Sequence, residues 1–370
     1  MQRIRVLVVD DVALVRRLVV DALSIDPEIQ VVGVAANGRE ALEKIPVVRP
    51  DLLVLDYEMP EMDGLETLIE VRRNYPSIRV IIFSSHTRHG AQVTLDALWH
   101  GADDYVAKGR ADNPSAATQL IRTQLLPKIK GLCPRPEPAE GVVEGSFEAG
   151  SDPAKVRASA RQAGIAPARA EIVAIGASTG GPKALATLLE GLPSDFPAPI
   201  VIVQHMPRLF TRLLAERLAT RTSLRCAEGI EGSTLRAGQI WIAPGDHHMV
   251  LVRERTEIKI RLTKAPPVHS CRPAVDPLFQ SVAGVYGPAG LGVILTGMGH
   301  DGYKGCEEIR NAGGAVLVQD ELSSVIWGMP GIVARSGLAD KVVPIGEIAG
   351  EIVRRASLGA RRKAPVGYTP

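Results

Sequence analysis

The sequence predicts two α/β domains, each built on a mostly parallel sheet, joined by a proline-rich tether. Three observations carry this reading. Short runs of β-branched and aliphatic residues alternate with stretches of helical periodicity, first near the N-terminus and again from Glu171. The strand runs are apolar throughout rather than alternating, which marks strands covered on both faces by helices. Between the two regions the composition turns. Residues 131–153 hold Pro134, Pro136, Pro138 and Pro153, with the acids Glu137, Glu140, Glu144, Glu148 and Asp152 against the single base Arg135. Residues 154–170 hold Lys155, Arg157, Arg161 and Arg169 and no acid. Such a stretch buries no core and reads as a solvated linker. The boundaries drawn are 3–125 for the first domain, 126–170 for the linker, 171–355 for the second domain and 356–370 for a basic tail.

In the first domain, strands are expected at 4–9, 30–34, 51–55, 79–83 and 104–106. Helices are expected at 12–23, 38–45, 65–73, 90–100 and 116–129. Crossovers in such a parallel sheet are right-handed. In the second domain the strands are 172–175, 200–203, 239–242, 249–252, 257–262, 292–295 and 315–319. Its helices are 182–189, 210–218 and 305–312, and the chain is expected to fray from Arg354.

With 370 residues the chain has room for two or three domains. Hydrophobic residues make up 45% and charged residues 23%, which excludes disorder of the whole chain. The net charge of +2 leaves no footprint for nucleic acid or an anionic membrane, and 4% aromatic residues leave no base-stacking platform. No run approaches the ~18 apolar residues of a membrane span, and the N-terminus lacks the long apolar core of a signal peptide. Cys133, Cys226, Cys271 and Cys306 form no C-x-x-C pair and suit a reducing compartment. The expectation is a cytoplasmic protein that neither binds nucleic acid nor inserts into membranes.

Chemistry enters first as a carboxylate cluster. Asp10, Asp11 and Asp56 directly follow strands, and in an open α/β sheet the carboxyl ends of the strands form the ligand crevice. One acid after a strand is ordinarily a turn or helix-cap residue. Three converging carboxylates repel, and call for a hard divalent cation such as Mg²⁺. Ser84 ends the fourth strand and Lys108 follows the fifth, so a hydroxyl and an ammonium stand ready to hold a phosphoryl group on Asp56. These stretches, VLVVDD, LLVLDYEMPEMDGLE, IIFSS and DYVAKG, resemble response-regulator receiver domains. The resemblance implies a flavodoxin-like (βα)5 fold with Asp56 as phosphoacceptor. It implies Mg²⁺ held by Asp10, Asp11, Asp56 and the backbone carbonyl of Glu58. It makes Ser84 the switch hydroxyl, Tyr105 the switch aromatic and Lys108 the phosphate-contacting lysine. Gly109 stands where many receivers carry proline.

A second chemistry sits in Gly176-Ala177-Ser178-Thr179-Gly180-Gly181-Pro182, which follows a buried strand and opens a helix. The loop fits a strand–turn–helix nucleophile elbow, with the helix's free N–H groups available to an oxyanion. A phosphate loop is a poor fit: Pro182 stands where the Walker pattern needs lysine, and Ser178 replaces the second glycine of G-x-G-x-x-G. A plain strand–helix turn stays open on this segment alone. A serine nucleophile needs a base and an orienter. Position favours His205, at the same sheet edge, over His86, His89, His100, His247, His248 and His300, and it points to Asp301 after the 292–295 strand.

GASTGGPKAL, IVIVQHMPRLFTRLLAERL, WIAPGDHH, CRPAVDPLF, LTGMGHDGYKG and QDELSSVIWGMP together resemble the catalytic domain of chemoreceptor protein-glutamate methylesterases, the CheB family. The resemblance implies Ser178 as nucleophile, His205 as general base, Asp301 as its orienter, Thr179 beside the nucleophile and Met298 as an oxyanion contact, on a doubly wound sheet. It implies no cofactor in this domain. Methyl-accepting chemoreceptors would be the substrate, with glutamine deamidation alongside ester hydrolysis, and a chemotaxis histidine kinase the phosphodonor. The unphosphorylated receiver is expected to cover the Ser178 cleft. Two other classes remain at this point: a DNA-binding regulator, for which the sequence offers no basic helix-turn-helix, and a receiver fused to a non-catalytic or nucleotide-binding module.

Overall fold

The apolar runs form two separate parallel sheets in the computed structural model, which describes residues 3–84, 87–108, 118–134 and 168–358. In the N-terminal domain β1 (Ile4–Val9), β2 (Ile29–Ala35), β3 (Leu52–Leu55), β4 (Arg79–Ser84) and β5 (Asp104–Ala107) pair in the order β2-β1-β3-β4-β5, all parallel. All four positions of β3 are buried, as expected of a strand sandwiched between helices. Helices α1 (Ala13–Leu23), α2 (Gly38–Val48), α3 (Gly64–Asn74) and α4 (Arg88–Trp99) make the crossovers. Their starts are written locally. Asn37 accepts from the Glu40 N–H, Asp63 and Glu66 form a capping box, and Thr87 accepts from the Gly90 N–H. The strand order reverses between β1 and β3, so Asp10 and Asp56 share one crevice.

The last helix of this domain opens as a π-helical turn, Ile121–Leu125, and continues as α5 (Leu126–Leu132). Ile121, Leu125, Ile129 and Leu132 return at helical spacing and are all buried. The helix and its apolar stripe continue past the expected boundary at 125/126 as far as Leu132. Residues 135–167 of the tether, His86, Gly109 and the tail from 359 lie outside the described residues.

In the C-terminal domain β6 (Ile172–Ala177), β7 (Ile200–Gln204), β8 (Arg225–Glu228), β9 (Gln239–Ile242), β12 (Gly290–Ile294), β13 (Ala315–Gln319) and β14 (Lys341–Val343) form a seven-stranded sheet in the order β14-β13-β12-β6-β7-β9-β8. Every pairing in it is parallel. β10 (His248–Glu254) and β11 (Glu257–Thr263) make an antiparallel hairpin beside it. The helices are α6 (Gly181–Glu190), α7 (Arg208–Ala219), α8 (Val275–Tyr286), α9 (Tyr303–Asn311), α10 (Met329–Arg335) and α11 (Ile345–Ala356). The chain reverses direction across the sheet between β6 and β12, so the loops after β6, β7 and β12 meet at one edge. The expected elements leave out α8, α10, α11, β8 and β14, although the apolar residues of α8 and α11 return at i, i+3, i+4, i+7 spacing. The chain does not fray from Arg354: Arg354 and Arg355 pair with buried Glu351, and α11 packs Ile348, Ile352 and Ala356 inward.

The two domains share their cores. One apolar cluster joins Leu95, Leu98 and Tyr105 to Phe210, Leu213 and Leu214, and a second joins Ile129 and Leu132 to Ile326. Among the described residues no helix is long and apolar enough to cross a membrane.

Candidate active site

At the N-terminal crevice, Asp10 and Asp56 are buried, and Asp11 is exposed. The ligand atoms of the three carboxylates lie within 4.8 Å of one another, an all-oxygen set that suits a hard cation. The Lys108 ammonium bridges Asp10 and Asp56 at 2.7 Å each. Asp56 also accepts from the Tyr57 N–H at 2.8 Å. Burial, with Asp10 adding to it, outweighs Lys108 and pushes the Asp56 carboxyl up to about 6. Ser84 is buried and donates to the Gly90 carbonyl at 3.1 Å, and its own carbonyl accepts from the Lys108 N–H at 2.6 Å. Glu58 stands two residues beyond Asp56, exposed on the β3–α3 loop.

At the C-terminal edge, register does the positioning. Ala177 of β6 pairs with Gln204 of β7, so Ser178 and His205 are the next residues on neighbouring strands, and the His205 N–H donates to the Ala177 carbonyl at 3.1 Å. On the other side the Ser178 N–H donates to Thr296, just past β12, at 3.0 Å. Buried Gln204 fixes the turn by donating from Nε2 to the Ser178 carbonyl at 2.9 Å. Within the elbow only Gly180 needs a left-handed conformation, with φ +77. Gly176 and Gly181 are required for space: a Cβ there would stand 2.6 Å from Val275 and 1.9 Å from Gln204.

His205 Nε2 meets Asp301 Oδ2 at 2.7 Å. Asp301 also accepts the backbone N–H groups of Val275 (2.6 Å), Asp276 (3.0 Å) and Gly302 (2.9 Å). These donors come from the N-terminal ends of α8 and α9, where helix dipoles favour an anion. Burial opposes ionisation of Asp301, yet His205 and these N–H groups hold its carboxyl below the usual range. For His205, burial disfavours the cation, but the bond to Asp301 and contact with the Cys271 thiol outweigh it and raise the imidazole to about 10. Among the described residues no hydrogen bond links Ser178 to His205; both line one small cavity of about 20 Å³, room for a single water.

Its wall facing Ser178 and the neighbouring C-terminal loops comes from the N-terminal domain: Leu98, Asp104, Tyr105 and Lys128. The Thr179 hydroxyl donates to Asp104 Oδ2, and Lys128 holds Asp104 Oδ1 at 2.9 Å. Tyr105 stacks on Phe210 with centroids 4.7 Å apart. Arg217 pairs with Asp96 and lies 4.7 Å over the Trp99 ring. β5 thus carries the Thr179 and Phe210 contacts at Asp104 and Tyr105, and leads three residues later to Lys108 on Asp56. Met298 turns its side chain toward α5, where its sulfur would stand 3.2 Å from a Cβ on Gly131.

Of the described histidines, His205 is the one that lines the Ser178 cavity. His248 is buried, accepting from the Ala274 N–H and reaching the Pro266 carbonyl; His100 contacts the Asp96 carbonyl. Asp104, Lys128, Gln204, Phe210, Cys271 and Asp276 join the sites without having been singled out by motif. For Asp104 a signal exists: an acid inside a parallel strand buried on both faces needs a partner.

The fold and site define a class: an acidic strand-end crevice of receiver type, docked on a doubly wound α/β domain whose sheet edge carries Ser178, His205 and Asp301. Residues 173–352 match the CheB methylesterase family and residues 6–118 the response regulator receiver domain family. The chain is 49% identical to the protein-glutamate methylesterase/protein-glutamine glutaminase of Trichodesmium erythraeum (strain IMS101), over 96% of this chain and 99% of that protein. It is 45% identical to the enzyme of the same name from Nocardioides sp. (strain ATCC BAA-499 / JS614), over 99% of each. The crystal structure of the Thermotoga maritima CheB methylesterase catalytic domain is 40% identical, covering 50% of this chain and 98% of that one, with a TM-score of 0.49. This chain belongs to the protein-glutamate methylesterase/protein-glutamine glutaminase family and is a hydrolase under receiver control.

Proposed function

We propose that the chain hydrolyses glutamate γ-methyl esters on the cytoplasmic helices of chemoreceptors, with Ser178, His205 and Asp301 as its catalytic set. Ser178 Oγ attacks the ester carbonyl while His205 takes its proton. Nε2 of His205 is committed to Asp301, which leaves Nδ1 as the accepting atom. The carbonyl oxygen becomes an oxyanion beside the first turn of α6 and the Met298 segment. The tetrahedral intermediate expels methanol, protonated by His205, and leaves a glutamyl-serine. Water, deprotonated by the same imidazole, then releases free glutamate and restores the serine. Receptor glutamine reacts by the same route, with ammonia leaving. The observation that carries this reading is the 2.7 Å His205–Asp301 contact at the strand end beside Ser178.

Regulation enters through Asp56, which accepts a phosphoryl group from a chemotaxis histidine kinase. Asp10, Asp11, Asp56 and the Glu58 carbonyl would hold Mg²⁺, which when bound neutralises charge at the acceptor. Lys108 and Ser84 grip the phosphoryl oxygens. Lys108 then leaves its present carboxylate partners, and the strand that carries it also carries Asp104 and Tyr105 over Ser178. A tenfold activation needs only about 1.4 kcal/mol of differential docking energy. The test is a fluorophosphonate probe with and without a small-molecule phosphodonor. Label on Ser178 that rises with the phosphodonor is expected; label on another serine overturns the catalytic set.

A further inference from the structure

Beside the catalytic pair lies a second imidazole–carboxylate pair that the reaction does not use. His269 Nε2 stands 2.9 Å from Asp276 Oδ2. Asp276 is buried at the start of α8, its other oxygen accepting from the Gly305 N–H at 2.8 Å. His269 is held inward by a tight turn in which Val268 and Cys271 exchange backbone hydrogen bonds, and its side chain keeps 23% exposure. The exposed His300 packs edge-on against it at 4.3 Å. One nitrogen of His269 and one oxygen each of Asp276 and Asp301 lie within 4.8 Å of one another. Two buried carboxylates this close to an imidazole bring three ligand atoms within reach of one ion. An imidazole with two carboxylates is the donor set of a borderline divalent ion such as Zn²⁺ rather than of Mg²⁺.

We propose that His269, Asp276 and Asp301 form an inhibitory site for a divalent transition-metal ion, and that its occupation takes Asp301 away from His205. The second half follows from the acceptor count. A carboxylate offers about four lone-pair sites, and Asp301 uses four: three for backbone N–H groups and one for His205. The backbone donors are fixed by α8 and α9. The imidazole is the one donor of the four on a side chain that can turn away. A metal on Asp301 therefore competes with His205, and acts as an inhibitor rather than a cofactor. This consequence rests on the catalytic roles given above; the binding site itself does not.

The experiment titrates the full-length protein with Zn²⁺ in Mg²⁺-containing buffer, following binding by calorimetry and methanol release in parallel. A tight zinc site is expected, with filled enzyme losing on the order of 10³-fold or more of its rate, as removal of an orienting aspartate does in serine hydrolases. Chelator should restore the rate. His269→Gln keeps a donor toward Asp276 but is a poor ligand, and should weaken zinc binding by roughly 100-fold or more, with inhibition, taken against the variant's own chelator-treated rate, weakening alongside. Equal binding by wild type and H269Q overturns the site. Loss of binding in H269Q while zinc-filled wild type stays active overturns the inhibition and leaves the site. Co²⁺ bound to wild type gives a check independent of any variant: a spectrum without thiolate charge transfer is expected, and a thiolate band places the ion on a cysteine and refutes the assignment.

Discussion

Two buried aspartates of this chain lie on the C-terminal rims of parallel sheets, Asp56 just past a strand and Asp301 just before a helix, and answer their burial in opposite ways. Asp56 in the receiver is pushed up to about 6, whereas Asp301 in the methylesterase domain is held below its ordinary range. Burial is the largest influence on both. What differs is who supplies the compensating charge. Asp56 faces another carboxylate, Asp10, and one lysine. Asp301 faces the N-terminal ends of two helices and an imidazole. In the proposed function the receiver crevice is completed from solution, by a cation and a phosphoryl group, while the hydrolase edge draws its compensation from its own backbone. One site is suited to be switched, and the other is suited to be held ready beneath it.

The comparison breaks most sharply at Ser178, the proposed nucleophile. Ser178→Ala should lower methanol release by on the order of 10⁴–10⁶-fold with or without phosphodonor; appreciable residual release would place the chemistry elsewhere. Asp301→Asn should cost on the order of 10³–10⁴-fold and reshape the pH profile. His205 is raised to about 10, so in the wild type the neutral base grows as pH rises toward that value. Without the Asp301 charge the imidazole titrates lower, and the rising limb of kcat against pH should move to lower pH. An unmoved limb would mean that another group sets it.

At the cover the expected change is smaller. Tyr105→Ala removes the stack on Phe210, and unstimulated activity should rise roughly tenfold if about 1.4 kcal/mol of docking is lost. Asp56→Asn should keep the unstimulated rate and lose the response to phosphodonor; a stimulated Asp56→Asn enzyme would detach the receiver crevice from the cover. The smallest effect is on stability. Because the Asp56 carboxyl is raised in the folded protein, its contribution is fully present below about pH 4 and is lost as pH rises through about 6, up to about 3 kcal/mol. Mg²⁺ should therefore raise the melting temperature of the receiver at pH 7 and do little at pH 4, in a pair of calorimetric scans. Equal shifts at both pH values would show that the cation binds away from Asp56.

Much of this was legible in the chain because its chemistry is local. Asp10, Asp11, Asp56, Ser84, Lys108, Ser178 and His205 all lie at or just past strand ends, where an apolar run stops at a polar residue. The elbow was legible through its glycines, although close packing, not backbone freedom, requires Gly176 and Gly181. Helix α8 was missed although Val275, Leu278, Phe279, Val282 and Ala283 recur at helical spacing; Pro277 and Gly284 lower its local helix propensity. That omission hid the source of two of the N–H groups on Asp301.

The sequence by itself determined the two parallel sheets, the order of strands and helices that can be read from periodicity, and the residues that reach the sheet edges, because hydrophobic period and local turn chemistry act over a few residues. Tertiary structure alone decided which edge faces which. It put Asp104 and Tyr105 of one domain on Thr179 and Phe210 of the other, packed the helix that ends at Leu132 against the first sheet, and set His269 and Asp276 beside Asp301. Each of these contacts joins residues whose neighbours in the chain carry no mark of the partner, and only the packing of whole elements brings them within reach.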